Sequence, residues 1–410
     1  MTAQKILRTF VTLTLLSTFA SSFIWGINTL FLLDAGLSIT EAFAANAFFT
    51  AGQVLFEVPT GVIADTIGRR ASYLLGLATL FGSTLLYLLL WDIQGPFWAW
   101  AVVSALLGLG FTFFSGATEA WLVDALHHTK YKGTLETAFA KGQIASGIAM
   151  LSGTVLGGVV AQYTNLGVPY IMRAVVLGIT FIVTFLLMKD VGFVPHKSKY
   201  IFKEMRNILR ASIDHGFKNP PVRWLMLAAP FGAGVGFYAF YAMQPYLLEL
   251  YGKTGSYAIA GLAAAIVASA QVAGGFLVPH LGKIFRHRTT LLIVGTVFGA
   301  SMLALIGLAT HFWLVLILLV IWGIISASTR PVRQAYLNGL IPSEQRATVL
   351  SSDNLLGSTG GVIIQPGLGK TADVWNYSTS YVVGAGIELL ALPFFLLAKR
   401  EKASSDPIVV

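Results

Sequence analysis

Twelve stretches of about 20 apolar residues recur along this chain, near residues 10–33, 42–62, 71–91, 97–118, 138–161, 168–188, 223–248, 256–279, 289–309, 312–337, 348–369 and 377–398. Each is long enough to cross a hydrocarbon core of roughly 30 Å as a helix. In lipid every backbone polar group must be bonded within the protein, so stretches like these fold as helices. The expected class is an all-α membrane protein with twelve transmembrane helices. Composition agrees: 56% of the 410 residues are hydrophobic and 11% are charged, where a soluble domain carries charge on about a quarter. The first stretch, Phe10 to Leu33, is too long for a signal-peptide core and has no clear cleavage site, so it reads as a span of the mature chain.

The net charge of +9 could suggest a nucleic-acid partner, but its placement argues for membrane orientation. With the N-terminus inside, 24 of the 27 Lys and Arg fall on the cytoplasmic side, and only Arg173, Lys253 and Lys370 fall outside. That asymmetry is what the positive-inside rule predicts, and it puts both termini in the cytoplasm. A multi-pass protein of the cell (inner, cytoplasmic) membrane is expected, with no nucleic-acid partner. There is no cysteine, so disulfides, thiolate metal sites and thiol nucleophiles are excluded.

The longest polar stretch, Val191 to Pro221, divides the spans six and six. Within it Ile201, Met205, Leu209 and Ile213 recur every four residues, with Lys203, Arg206 and Arg210 elsewhere on the wheel. This predicts a basic amphipathic helix on an anionic inner leaflet, whether as a simple tether or as a regulator. The halves also resemble each other. Gly61, Ala64, Gly68 and Arg69 are matched 214 residues later by Gly275, Val278, Gly282 and Lys283, and Glu57 by Gln271. The expected domains are a six-helix bundle over 1–190, a linker over 191–221 and a second six-helix bundle over 222–410. Pseudo-symmetric repeats of this kind predict a substrate site near the midplane, at the interface between the bundles.

The loop between spans 2 and 3 reads Gly61-Val62-Ile63-Ala64-Asp65-Thr66-Ile67-Gly68-Arg69-Arg70. Glycines permit a tight turn, an aspartate can accept from a helix N-terminus, and arginines can pair with carboxylates. The loop resembles motif A of the major facilitator superfamily, G-x-x-x-D-x-x-G-R-[KR], at every defining position. The resemblance implies the fold of that superfamily and a cytoplasmic latch that holds the inner side shut. The implied partners are Ser351 and Ser352 at the start of span 11 for Asp65, and Glu119 or Asp124 for Arg69 and Arg70. The second-half copy has Pro279 in place of the aspartate.

Span 5 carries Gly153-Thr154-Val155-Leu156-Gly157-Gly158, which resembles the G-P-x-x-G-G core of motif C in drug:proton antiporters, with Thr154 replacing the proline. Small residues at this spacing equally serve close helix packing. Phe56-Glu57-Val58-Pro59-Thr60 and the stretch Ile341 to Thr348 also look like bacterial efflux-type members. Span 4 lacks the arginine of motif B.

Polar groups inside the membrane are costly unless paired or wetted, so they point to function. Asn46, Thr50, Gln53 and Glu57 share one face of span 2. Glu57 lies roughly 6 Å from the helix end, where it can pair with an arginine or couple transport. Glu388 is the one carboxylate at the middle of a span, and Asp34 sits at the end of span 1. These three are the coupling candidates. Trp25 and Asn28 in span 1, Asn46 and Gln53 in span 2, Tyr238, Tyr241 and Gln244 in span 7, and Trp322 and Arg330 in span 10 are the substrate-cavity candidates. Aromatics with a few placed polar groups suit an apolar or amphipathic solute.

No nucleotide-binding loop, metal cluster or catalytic constellation emerges, so neither an enzyme nor a cofactor is expected. The expectation is a monomeric secondary transporter with alternating access, exporting a hydrophobic or amphipathic small molecule against protons. A symporter or uniporter of a polar metabolite, and a lipid-handling or sensing protein on the same fold, are the alternatives.

Overall fold

The computed structural model describes residues 1–114, 117–193, 210, 212–253, 255–341 and 346–408. In the first half the helices are α1 (Ala3–Trp25), α2 (Asn28–Asp34), α3 (Ile39–Ile67), α4 (Arg69–Asp92), α5 (Phe97–Thr112), α6 (Ala117–His128), α7 (Leu135–Tyr163) and α8 (Gly167–Leu187). In the second they are α9 (Pro220–Tyr251), α10 (Tyr257–Ile284), α11 (Arg288–Leu308), α12 (Phe312–Asn338), α13 (Arg346–Val374), α14 (Tyr377–Leu389) and α15 (Leu392–Arg400). Most of the amphipathic linker helix, including Ile201, Lys203, Met205, Arg206 and Leu209, lies outside the described residues. Beyond it a π-helical turn spans Ser212–Phe217, where Asp214 pairs with Lys218 at 2.7 Å.

Eleven helical stretches among the described residues are long and apolar enough to cross a membrane. The twelfth expected span, α13, is 29 residues long but carries Asp353, Asn354, Gln365, Lys370 and Asp373, which dilute its apolar content. Helix α8 shows how a span is divided between lipid and protein. Ile171, Val175, Ile179, Ile182 and Leu186 form an outward stripe, each at least 47% exposed. Tyr170, Arg173, Ala174, Leu177, Thr180 and Thr184 form the buried face. An apolar stripe that broad is satisfied by lipid, and the opposite face by neighbouring helices.

The helices group into two compact units. One comprises Met1–Leu37, Phe48–Ile201 and Gly255–Ala265, the other Ser38–Ala47, Phe202–Thr254 and Ile266–Val410. In the first unit α1 packs most extensively against α7, and α4 packs against α8 and α5. In the second, α9 packs against α13, and α11 against α14 and α12. The same pairings therefore recur in each half of the chain, which is what the weak sequence repeat anticipates.

The start of α3 is built into the second unit. There Thr40 donates to Asp373 at 2.7 Å, and the ring of Phe43 lies 4.7 Å from that of Tyr238. The start of α10 is built into the first, where the Cα of Gly261 lies 2.9 Å from the place a Cβ on Gly158 would occupy.

Candidate functional site

The signature loop is positioned by a single glycine. Helix α3 runs unbroken to Ile67, so Gly61, expected to help form the turn, lies inside the helix with open space beside it. The turn is made by Gly68 alone, at φ 124° and ψ 152°, a conformation open to glycine. A Cβ there would also meet the Asp190 carboxylate at 2.5 Å. Asp65 stands in the last turn of α3, where a negative charge opposes the helix dipole, and the Arg69 guanidinium offsets it at 2.5 Å.

The arginines pair differently from expectation. Arg70 gives its backbone N–H to Asp190 at 2.9 Å and its guanidinium to the Phe185 carbonyl at 2.7 Å, stacked 4.9 Å from the Phe185 ring. Glu119 is exposed in the first turn of α6, and Asp124 is half-buried beneath Gly192. The physical reason is packing: α8 runs against α4, so the residues just after α8 reach the start of α4 first. Partial burial pushes the Asp190 carboxyl above the usual aspartate range, and the Arg70 N–H with the two arginine charges pulls it back.

A matching device closes the second half. Asp406 accepts from the Thr289 backbone N–H at 2.8 Å and from its hydroxyl at 3.0 Å, at the second residue of α11. Asp190 holds the second residue of α4 in the same way. Neither helix has a side-chain cap of its own, so an aspartate that follows the last membrane helix of each half supplies it. The tail continues the contact: Ile408 N–H bonds to the Arg286 carbonyl at 3.0 Å, Arg288 donates to the Pro407 carbonyl at 2.8 Å, and Ser405 donates to the Tyr336 carbonyl at 2.9 Å. Asp406 is 4% exposed. Asp406→Ala would leave the Thr289 N–H without its acceptor and is expected to cost about 2 kcal/mol, read as a lowered melting midpoint. Asp406→Asn retains an acceptor and should recover part of it.

The glycines of span 5 are packing surfaces. A Cβ on Gly153 would meet Ser22 at 2.7 Å, and one on Gly157 the Phe23 carbonyl oxygen at 1.9 Å, both on α1. Thr154, in the proline position of the antiporter motif, bonds back to the Met150 carbonyl at 2.7 Å.

The intramembrane candidates divide by burial. Asn46 and Thr50 are buried on α3, while Gln53 and Glu57 further along the same face are half-buried. Span 1 is interrupted at Gly26–Ile27, and Trp25 and Asn28 flank the break, both half-buried. Asn28 accepts from the Tyr170 hydroxyl at 2.9 Å. Asp34 is exposed and accepts from the Trp91 indole at 2.8 Å. In the second unit Tyr238 is buried and bonded to Ser380, Gln244 is 1% exposed, and Tyr241 is half-buried. Trp322 is buried with its indole N–H unpartnered, and Arg330 is exposed. Glu388 is the penultimate residue of α14, with one carboxylate oxygen unpartnered and Gly299 of α11 beside it.

The pairing of Arg333 and the burial of Arg173 escaped sequence reasoning. Arg333 makes a bidentate pair with Asp353, both contacts 2.5 Å, and donates to the Leu225 carbonyl at 2.9 Å, which joins α12, α13 and α9. Asp353 is 3% exposed. Arg173, which the charge count assigns to the outside, lies within α8 and is 1% exposed. Its place between Tyr170 and Leu177, on the side opposite the isoleucine stripe, was the signal available.

These features belong with a membrane transporter, and the comparisons agree. The family model of the Major Facilitator Superfamily matches residues 10–363 and 253–408. The chain belongs to the Major Facilitator Superfamily. Among solved structures it resembles the nucleoside transporter NupG (11% identity, TM-score 0.77, covering 96% of this chain and 99% of that one). It resembles the peptide transporter POT in complex with sulfate (14%, 0.75, 97% and 94%). A third likeness is to a bacterial homolog of the human lysosomal transporter Spinster, in an inward-facing and unoccupied conformation (15%, 0.73, 98% and 98%). At such identities the likeness carries the fold and leaves the cargo open. A search of curated proteins gave no match.

Proposed function

We propose that the chain is a secondary active transporter of the cell membrane that exports a hydrophobic or amphipathic small molecule in exchange for protons, as a monomer with both termini cytoplasmic. The observation that carries the reading is the break in span 1. An interrupted membrane helix is tolerated where protein or a cavity satisfies the freed backbone groups, and such breaks mark binding sites in secondary transporters. Here the break is flanked by an indole, Trp25, and an amide, Asn28, which offers an apolar face with one polar anchor. Glu57 supports proton coupling, since it ends the one polar face of α3 and is half-buried. In this reading Asp65 and the arginines that follow it form part of a cytoplasmic gate.

The test is a melting-midpoint screen of the purified protein over lipophilic cations, neutral amphiphiles, lipids and polar metabolites, since bound ligand stabilises by mass action. Lipophilic compounds should raise the midpoint of the native chain, and Trp25→Ala should weaken the best of them about tenfold, roughly the 1.4 kcal/mol expected of one aromatic contact. Stabilisation by polar metabolites alone would replace this reading with nutrient symport or uniport. Stabilisation by lipids alone would favour a lipid-handling protein.

A further inference from the structure

Arg173 poses a problem that the transport reading does not solve. It is the seventh residue of α8, about 9 Å along the helix from its first residue, and it is 1% exposed. Its Nε donates to the Thr84 hydroxyl at 3.1 Å, and that hydroxyl is itself committed to the Leu80 carbonyl at 2.7 Å. Its guanidinium carbon lies 5.9 Å from the centre of the Phe111 ring. One terminal nitrogen, Nη2, is buried without a hydrogen-bond partner. Among the described residues the guanidinium forms no ion pair.

The surroundings are aromatic. Tyr170 stacks on Phe31 at 3.9 Å and on Tyr87 at 6.1 Å, and Trp100 meets Tyr87 edge-on at 5.0 Å. The Tyr170 hydroxyl donates to Asn28, and the Tyr87 hydroxyl shares a 2.6 Å bond with Ser104. A lysine in such a place could shed its proton, but a guanidinium keeps its charge. An uncompensated buried cation costs several kcal/mol even after relaxation, and the ring of Phe111 returns only about 2 kcal/mol. Ionisable groups inside membrane helices are functional by default, and their partner has to be named.

We infer that Arg173 is the core of a binding site for a small inorganic anion of chloride size, held inside the first unit by the unpartnered Nη2. The donor count sets the class: Nη2 is the one nitrogen found buried and unpartnered, which suits a single-atom anion, whereas an oxyanion would leave further oxygens unbonded. Tyr170 lies between this site and the proposed substrate region, through its bond to Asn28, but anion binding at Arg173 is tested without any cargo and does not depend on that reading.

The test uses the full chain in detergent at constant ionic strength, with sodium gluconate replaced stepwise by sodium chloride. The melting midpoint of the native protein should rise saturably, by about 2–4 °C, and Arg173→Gln should abolish the rise. A native protein indifferent to chloride overturns the inference. So does a rise of equal size in Arg173→Gln, which would assign the effect to surface cations. If that variant does not fold, bromide-soaked crystals of the native protein decide: anomalous density within hydrogen-bond reach of the Arg173 guanidinium supports the site, and its absence there overturns it.

Discussion

Gly157→Ala is expected to prevent accumulation of folded protein. The added Cβ would lie 1.9 Å from the Phe23 carbonyl oxygen and 2.7 Å from its carbon. Both are backbone atoms, so relief requires parting α7 from α1, the most extensive helix pairing of the first unit. Overpacking a tight contact costs 1–3 kcal/mol where side chains can yield, and here nothing flexible yields, so about 3 kcal/mol or more is expected. The control is Gly147→Ala on the same helix, where a Cβ meets nothing within 4 Å. Alanine gains about 1 kcal/mol of helix propensity there, so its midpoint should equal or exceed the native one. Equal midpoints for the two variants would show that the close approach of α7 to α1 is not as described.

Gly68→Ala is the second large effect, and it separates backbone strain from a clash. At φ 124° an alanine is strained by roughly 1–3 kcal/mol, and its Cβ would press to 2.5 Å from Asp190 Oδ2. Displacing that carboxylate removes the acceptor of the Arg70 N–H. Gly36→Ala, at φ 88° with nothing within 4 Å, carries backbone strain alone and should cost about 1 kcal/mol. The double variant Gly68→Ala with Asp190→Ala should be less destabilised than the sum of its parts, because the clash exists only when both side chains are present. Strict additivity would remove Asp190 from the loop.

Most of the fold is legible in the apolar runs, because lipid leaves helices as the one economical way to bond their backbones. The signature loop is legible as a motif, but its contacts are not: Gly68 alone makes the turn, and Arg69 pairs with Asp65 in place of the expected Glu119 or Asp124. What escapes the eye is contact at long range. The partner of Arg70 is 120 residues away at Asp190, and that of Thr289 is 117 away at Asp406. No local pattern encodes either, although each aspartate follows the last membrane helix of its half. The burial of Arg173 was missed because a charge near the end of an apolar run reads as a boundary, whereas the buried face of α8 carries it among the helices. The glycines of span 5 could be read as an antiporter signature or as packing, and the contacts of Gly153 and Gly157 with α1 support packing. Tyr238 shows that a polar aromatic side chain on such a face can also be satisfied by a buried partner, here Ser380.

The most direct test of the proposed function is flux in proteoliposomes with an imposed pH gradient, using the strongest ligand from the melting screen as cargo. Because the chain has no cysteine, single cysteines can be introduced for labelling without background. The account predicts that the gradient drives cargo uphill, and that Glu57→Gln abolishes the drive while leaving gradient-independent exchange of cargo intact. Cargo movement that ignores the pH gradient in the native protein, with Glu57→Gln indistinguishable from it, would contradict proton-coupled export.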